Sequence, residues 1–197
     1  MTKSYDRAYF DRWYRQRPGH IAALARKVAL AVAVAEYYLQ RPIRSVLDVG
    51  CGEAAWRAPL LKLRPRLHYQ GVDSSEYAVA RHGRRRNIAL ASFGQLDQLR
   101  FGAPADLLVC SDVMHYLPTA ELRRGLGGFD ELCDGIAFLE VYGRDDAILG
   151  DTVGFMKRPA AFYRKALVDA GLTPCGSHCY LSSHLRGQAT KLEALVP

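Results

Sequence analysis

The run Ser45-Val46-Leu47-Asp48-Val49-Gly50-Cys51-Gly52-Glu53-Ala54-Ala55 constrains this chain more than any other. A short apolar segment that reads as a buried strand enters a glycine turn and then helix-forming residues. Junctions of this type hold nucleotide-like cofactors at the carboxyl ends of strands in open parallel sheets. Gly50, Gly52 and Ala55 satisfy the loose dinucleotide pattern G-x-G-x-x-G/A. A dinucleotide, however, lays its pyrophosphate against the turn and the helix N-terminus behind it. The Asp48 carboxylate, with Glu53 just beyond, would repel that anion at close range. The acidic turn favours a cofactor that presents a positive group.

The stretch resembles motif I of the class I S-adenosylmethionine-dependent methyltransferases, hydrophobic-hydrophobic-Asp-hydrophobic-Gly-x-Gly-x-Gly. S-adenosylmethionine (SAM), whose product is S-adenosylhomocysteine (SAH), carries an ammonium and a sulfonium and no phosphate. The resemblance implies cofactor binding by Asp48, Gly50, Cys51 and Gly52. One departure is clear: the third glycine of the motif is Ala54 here. Its methyl group would narrow the approach of backbone to cofactor.

A second element supports the first. Tyr69-Gln70-Gly71-Val72-Asp73-Ser74-Ser75 reads as a strand ending in Asp73, 21 residues after Gly52. A βαβ unit places an acidic residue at about this distance to bind ribose hydroxyls. A carboxylate accepts both hydrogen bonds of a vicinal diol. Ser74 belongs to the same cofactor set. The competing reading makes Asp73 the N-cap of a helix from Ser74 or Ser75 through Arg81.

A length of 197 residues suits one domain with a sizeable core. Hydrophobic content of 49% beside 24% charged residues excludes a disordered chain, and no apolar run is long enough to cross a bilayer. The N-terminus lacks the apolar stretch of a secretory signal. Five scattered cysteines, an odd number, suggest free thiols in a reducing compartment, so a cytoplasmic protein without membrane partners is expected. The net charge of +7 raises a nucleic-acid partner, with Arg84-Arg85-Arg86 and Arg12, Arg15 and Arg17 the densest groups. Basic residues are spread along the chain, however. The Arg84 cluster also follows an expected helix end, where cations favour the helix dipole.

Helix and strand signals alternate, which predicts an α/β fold with a doubly wound, mostly parallel sheet. The aromatic, basic segment Tyr5 to Arg17 precedes a break at Pro18-Gly19. Ile21, Leu24, Val28, Val32, Ala35 and Leu39 recur at helical steps, predicting a helix from His20 to Gln40 that Pro42 stops. Strands are predicted at Ser45–Val49, His68–Val72, Ile88–Ser92, Ala105–Cys110 and Ile136–Val141. Helices are predicted from Glu53 to Lys62, from Thr119 to about Cys133, and from Pro159 to Ala170 with Gly171 as its cap. The family resemblance implies about seven strands, the last antiparallel. Only Leu172 to Ser183 remains for the closing hairpin, so it must be short or lack a strand. The expected organisation is an N-terminal helical cap (1–43), a SAM-binding core (44–183) and a tail (184–197) within one structural domain.

Cys110-Ser111-Asp112-Val113-Met114-His115-Tyr116-Leu117-Pro118 follows the fourth strand, where ligands of parallel sheets sit. It resembles the loop that many small-molecule methyltransferases carry beside the methyl group, which adds Ser111 and Asp112 to the cofactor set. The adenine-binding Gly-Asp of the family corresponds to Gly94-Gln95, with Leu96 as an apolar wall. His115 is the candidate general base, since imidazole suits proton removal near neutral pH. Its competing role is pocket lining. Tyr142, at the end of the fifth strand, is a second acceptor-side candidate, and Tyr9, Phe10 and Trp13 are candidates for a cover over the sulfonium. Cys175, His178 and Cys179 lack a fourth ligand at sensible spacing, and strand alternation separates them, so no metal is expected.

The amino-methyltransferase signature Asn/Asp-Pro-Pro-Tyr/Phe is missing at Ser111-Asp112-Val113-Met114, and no Pro-Cys nucleophile for cytosine chemistry is present. These readings converge on methyl transfer from SAM to an O or N atom of a small molecule. Two alternatives stand beside it: an RNA or protein methyltransferase using the basic surface, and a SAM-binding protein without activity, as Ala54 and Gln95 would allow.

Overall fold

The computed structural model describes residues 5–14, 20–148 and 151–191. The break expected at Pro18-Gly19, the cations Arg15 and Arg17, and the last six residues of the tail lie outside them. Seven strands form one sheet: β1 (Ser45–Val49), β2 (His68–Asp73), β3 (Ile88–Leu90), β4 (Ala105–Ser111), β5 (Cys133–Glu140), β6 (Thr173–Gly176) and β7 (Cys179–Leu181). Their spatial order is β3-β2-β1-β4-β5-β7-β6. Strands β1 to β5 pair in parallel, and β7 runs antiparallel to both neighbours. The fold is therefore the doubly wound, mostly parallel α/β sheet that the alternation predicts. The order reverses between β1 and β4, so a crevice opens beyond their carboxyl ends.

Both closing strands are present. Ser177 and His178, at φ of +50° and +64°, make the two-residue turn between them. Positive φ at both central positions matches the twist of a tight hairpin, which explains how so few residues complete the sheet.

The helices cover both faces. α1 (Arg7–Tyr14) and α2 (His20–Leu39) form the N-terminal helical segment. Val28, Ala31, Val32, Ala35 and Tyr38 of α2 share one core with Val46, Leu107, Ile136 and Phe138 of the sheet. α3 (Arg57–Leu63) lies on that side, and Trp56 before it packs its ring 5.2 Å from that of Phe138. The other core joins Leu47, Leu108 and Leu139 to α5 (Thr119–Leu126), α6 (Phe129–Leu132) and α7 (Ala160–Asp169).

Several boundaries differ from the sequence reading, each for a local reason. The helix expected from Glu53 starts only at Arg57, because Gly50, Gly52 and Ala54 all hold left-handed backbone (φ +68°, +54° and +59°). Ala54 is buried with its methyl in the core beneath α2, so its departure from glycine costs backbone strain, on the order of 1 kcal/mol, rather than cofactor clearance. α4 (Glu76–Arg86) runs past Arg81 and stops at Asn87, which caps it at φ +55°. Arg84, Arg85 and Arg86 therefore form its last turn instead of following it. The helix expected from Thr119 to Cys133 is two helices, split at Gly127-Gly128. A side chain at Gly128 would lie 2.0 Å from the Leu96 carbonyl oxygen, so the chain turns there to cross the 3-10 segment Phe93–Asp97 closely.

β5 starts at Cys133, three residues earlier than expected, where its pairing with β4 shifts register. Gly135 sits at that irregularity, and a Cβ there would fall 1.9 Å from the Asp106 carbonyl oxygen. Backbone cannot yield as a flexible side chain does. Gly135→Ala is therefore expected to destabilise the fold by roughly 2–3 kcal/mol. Urea denaturation measures this, and a loss below about 0.5 kcal/mol would mean that the strands separate at no cost.

Candidate active site

The turn after β1 is held to β2 by its own backbone. The N–H groups of Gly50 and Cys51 both donate to the Val72 carbonyl, at 2.8 and 3.1 Å. Gly52 N–H donates to Asp73 Oδ2 at 2.6 Å, and Ser75 N–H donates to Asp73 Oδ1 at 2.8 Å. Asp73 is thus a strut between turn and helix. Burial pushes its carboxyl up, and the surrounding N–H donors oppose that shift. The N-cap of α4 is Ser75, whose Oγ accepts from Ala78 N–H at 3.1 Å and donates to the Tyr5 carbonyl at 2.6 Å. Of the two readings open for Asp73, the helix cap belongs to Ser75.

A pocket opens above this turn, with an empty volume of about 730 Å³ including its mouth. Gly50, Gly52, Asp73, Ser74, Leu96 and Asp112 of the expected cofactor set line it. Gly52 is required twice over. Its φ is positive, and a Cβ would stand 2.9 Å from Phe10 Cε1 of α1. Tyr5, Tyr9 and Phe10 close one side of the pocket, with Phe10 2% exposed and its ring stacked 5.8 Å from that of Tyr77. Trp13 does not line it; its ring lies under the Arg12 guanidinium.

The other expected residues lie behind or beside the pocket. Asp48 points to the opposite face of the sheet, where Tyr69 donates its phenolic hydrogen to Oδ2 at 2.7 Å. Burial pushes the Asp48 carboxyl up to about 7, against the lowering effect of the Tyr69 bond. Cys51 is buried beside it, and burial raises its thiol. Strand alternation explains the placement of Asp48: Val49 faces the pocket, so its neighbour in β1 cannot. Gln95 closes a capping box on the 3-10 segment, its Oε1 accepting from Ser92 N–H at 2.8 Å, and does not line the pocket.

Ser111 and Tyr142 converge on a residue absent from the sequence reading of the site, Glu140. Ser111 Oγ donates to Oε2 at 2.5 Å and Tyr142 OH to Oε1 at 3.0 Å, while Lys27 of α2 reaches both oxygens at 2.8 and 2.6 Å. Burial alone would raise the Glu140 carboxyl, but these donors, Lys27 foremost, hold it below its ordinary value. A carboxylate closing the apolar run Ile136–Leu139 was a usable signal; its partner Lys27 lies 113 positions away and left none.

His115 is fully buried among the rings of Tyr116, Tyr142 and Phe155 (centroids 4.3, 5.5 and 5.4 Å away) and does not line the pocket. Its Nδ1 accepts the Tyr142 N–H at 3.4 Å, which assigns the ring proton to Nε2. Nε2 lies 3.0 Å from Asp112 Oδ1, off the line of a regular hydrogen bond. Asp112 carries this carboxylate on strained backbone (φ +63°), with its side chain 47% exposed.

Arg84, Arg85 and Arg86 lie outside the pocket lining. Among the described residues no group of three or more His, Cys, Asp or Glu side chains is placed to hold a metal. Cys175 and Cys179 sit in the closing hairpin, the first donating to the carbonyl of the second at 3.3 Å. No described helix is long and apolar enough to cross a membrane.

Comparison with known proteins agrees with this geometry. Residues 47–134, which span the turn, Asp73 and the Asp112 loop, match the sequence model of a methyltransferase domain. No curated protein sequence matches the chain. Among solved structures, the sugar N-methyltransferase KedS8 from Streptoalloteichus sp. is similar in fold, with a TM-score of 0.68 and 18% identity over 92% of this chain and 95% of that one. The magnesium protoporphyrin IX methyltransferase ChlM from Synechocystis, solved with SAH, gives 0.62 and 23% over 85% and 86%. DesVI from Streptomyces venezuelae gives 0.65 and 17% over 90% and 98%. With its sheet order and glycine turn, the chain has the Rossmann-like fold of the class I methyltransferases, and residues 47–134 within it carry a methyltransferase-domain sequence.

Proposed function

We propose that this protein transfers a methyl group from SAM to an O or N atom of a small-molecule acceptor. The observation that carries the reading is the acidic glycine turn, with Asp73 holding it from the front and Asp48 placed behind it. Gly50, Gly52 and Ser74 would cradle the amino-acid and ribose portions, and Asp73 would accept from the ribose hydroxyls with its remaining lone pairs. Phe93 and Leu96 offer an apolar bed for the base. Bound there, SAM supplies an electrophilic methyl group on a sulfonium. The chain's own work is positioning and the exclusion of water, to which Tyr5, Tyr9 and Phe10 contribute over the mouth.

A small acceptor is supported by the pocket's enclosure under α1 and by neighbours named for a sugar and a porphyrin. An RNA acceptor gains less support, because the triple arginine stands at the far end of α4 from its Ser75 cap and off the pocket lining. The five cysteines, none of them in a disulfide, fit a cytoplasmic setting. His115 has no face on the pocket, so we assign it a positioning role: its protonated Nε2 steers the Asp112 carboxylate.

Three outcomes test these readings. Titration calorimetry should detect SAH binding and no NADH binding, and a radiolabelled methyl donor should label a low-mass product in a metabolite extract. NADH binding without SAH binding would end the proposal. Asp48 sets the second outcome. Burial pushes its carboxyl up to about 7, and a bound cation would lower it, so the complex would hold fewer protons. SAM affinity should therefore rise as pH increases from 6 to 8, with proton release that Asp48→Asn abolishes; an affinity flat in pH removes Asp48 from the cofactor's field. Third, His115→Ala should lower kcat/KM by roughly tenfold without changing the shape of the pH profile, and His115→Gln, which keeps a donor, should recover much of it. A hundredfold loss accompanied by disappearance of a limb near pH 6–7 would restore His115 as general base.

A further inference from the structure

We propose that the acceptor is a basic amine, recognised by Asp112 as the carboxylate that receives its N–H, and that anionic acceptors are excluded. This rests on the methyltransferase reading of the same pocket and narrows the acceptor class.

The described pocket walls carry Asp73, Asp112 and Glu121, and no lysine, arginine or histidine lines them. Tyr5, whose ring closes the pocket, registers the resulting field. Burial first, and then Asp73, Asp151, Asp112 and Glu121, push its phenol up to about 12. These carboxylates have different commitments. Asp73 is occupied by the N–H groups of Gly52 and Ser75. Asp151 is 9% exposed and accepts from Val153 N–H at 2.9 Å. Asp112 stands at the tip of β4 with an exposed carboxylate, its own N–H donating to the Glu140 carbonyl at 3.0 Å.

The buried imidazole beside Asp112 supplies the second observation. His115 Nε2 carries a proton, is fully buried, makes no regular hydrogen bond and is aimed at Asp112 Oδ1 from 3.0 Å. A group in that state steadies a carboxylate and cannot accept a substrate proton. Oδ2 is left for a donor arriving through the pocket. Tyr5 and Tyr116 line the same pocket and offer aromatic rings that attract an ammonium.

The direction of charge flow agrees. The amine lone pair forms the N–CH3 bond as the C–S bond breaks, and that bond's electron pair stays on sulfur, now a neutral thioether. The ammonium that Asp112 attracts first gives one proton to that carboxylate, from which it passes to solvent, and this frees the lone pair that attacks; positive charge then moves from sulfur to nitrogen, and the product leaves as the methylated ammonium. A fixed negative charge beside the nitrogen stabilises the cation as it develops. With a carboxylate or phenolate acceptor the same charge would repel the nucleophile on entry.

The test uses the full chain saturated with SAH, which already satisfies any demand of the cofactor's own ammonium on Asp112. Benzylamine, benzyl alcohol and benzoate, equal in shape and different in charge, are titrated by calorimetry or ligand-observed NMR. Benzylamine should bind at least about tenfold more tightly than either of the others. Asp112→Asn, which left-handed backbone tolerates, should bring the amine and the alcohol to within about threefold. Benzoate binding as tightly as benzylamine, no detectable amine binding, or a preference unchanged in Asp112→Asn each overturns the inference. Because SAH loading is measured first, a protein that fails to bind SAH fails the methyltransferase reading at that earlier step and takes this inference with it.

Discussion

The site depends on one carboxylate. Asp73 accepts the Gly52 N–H with one oxygen and the Ser75 N–H with the other, and so ties the turn after β1 to the start of α4. Three left-handed residues in alternation give that turn little intrinsic stability, and Ala54 among them pays for its conformation in strain. Backbone bonds to Val72 and the Asp73 strut hold it open. The junction reaches further through Ser75, which caps α4 and donates to the Tyr5 carbonyl. Turn, strand, helix and N-terminal cover thus meet within three consecutive residues.

A second junction organises the acceptor end. Glu140 gathers Lys27, Ser111 and Tyr142, which fastens α2 to the tips of β4 and β5. A buried carboxylate with this donor set is fully satisfied, so it orients its neighbours and has no lone pair to spare for chemistry. Just beyond it, Asp112 is neither buried nor satisfied in that way. The contrast separates a carboxylate that builds the site from one that can meet a substrate. A chain with a net charge of +7 thus holds a pocket of the opposite sign: Asp73, Asp112 and Glu121 line it, and among the described residues no lysine, arginine or histidine does.

Much of the fold was legible because its signals are local. The apolar runs of β1, β2, β4 and β5 and the helix stops at Pro42 and Gly171 each report on a few neighbouring residues. Errors fell where a distant contact overrode a local preference. Gly127-Gly128 read as helix interior until the close crossing of Leu96 required them, and α4 outran its expected end because Asn87 supplies the left-handed stop. The candidate site divides in the same way. Gly50, Gly52 and Asp73 stand in motifs whose spacing reflects a single βαβ unit. Gln95 stands off the pocket lining, its Oε1 engaged by the Ser92 N–H three residues away.

The linear order of residues determined the fold class, the cofactor turn and its negative charge, since each follows from neighbours within one strand–turn–helix unit. The tertiary structure alone decided which carboxylate faces the crevice. Period-two alternation sends Asp48 to the back of the sheet, and burial of His115 against Tyr142 fixes its tautomer, leaving Asp112 in front. Those assignments rest on contacts between residues far apart in the chain, and no local pattern encodes them.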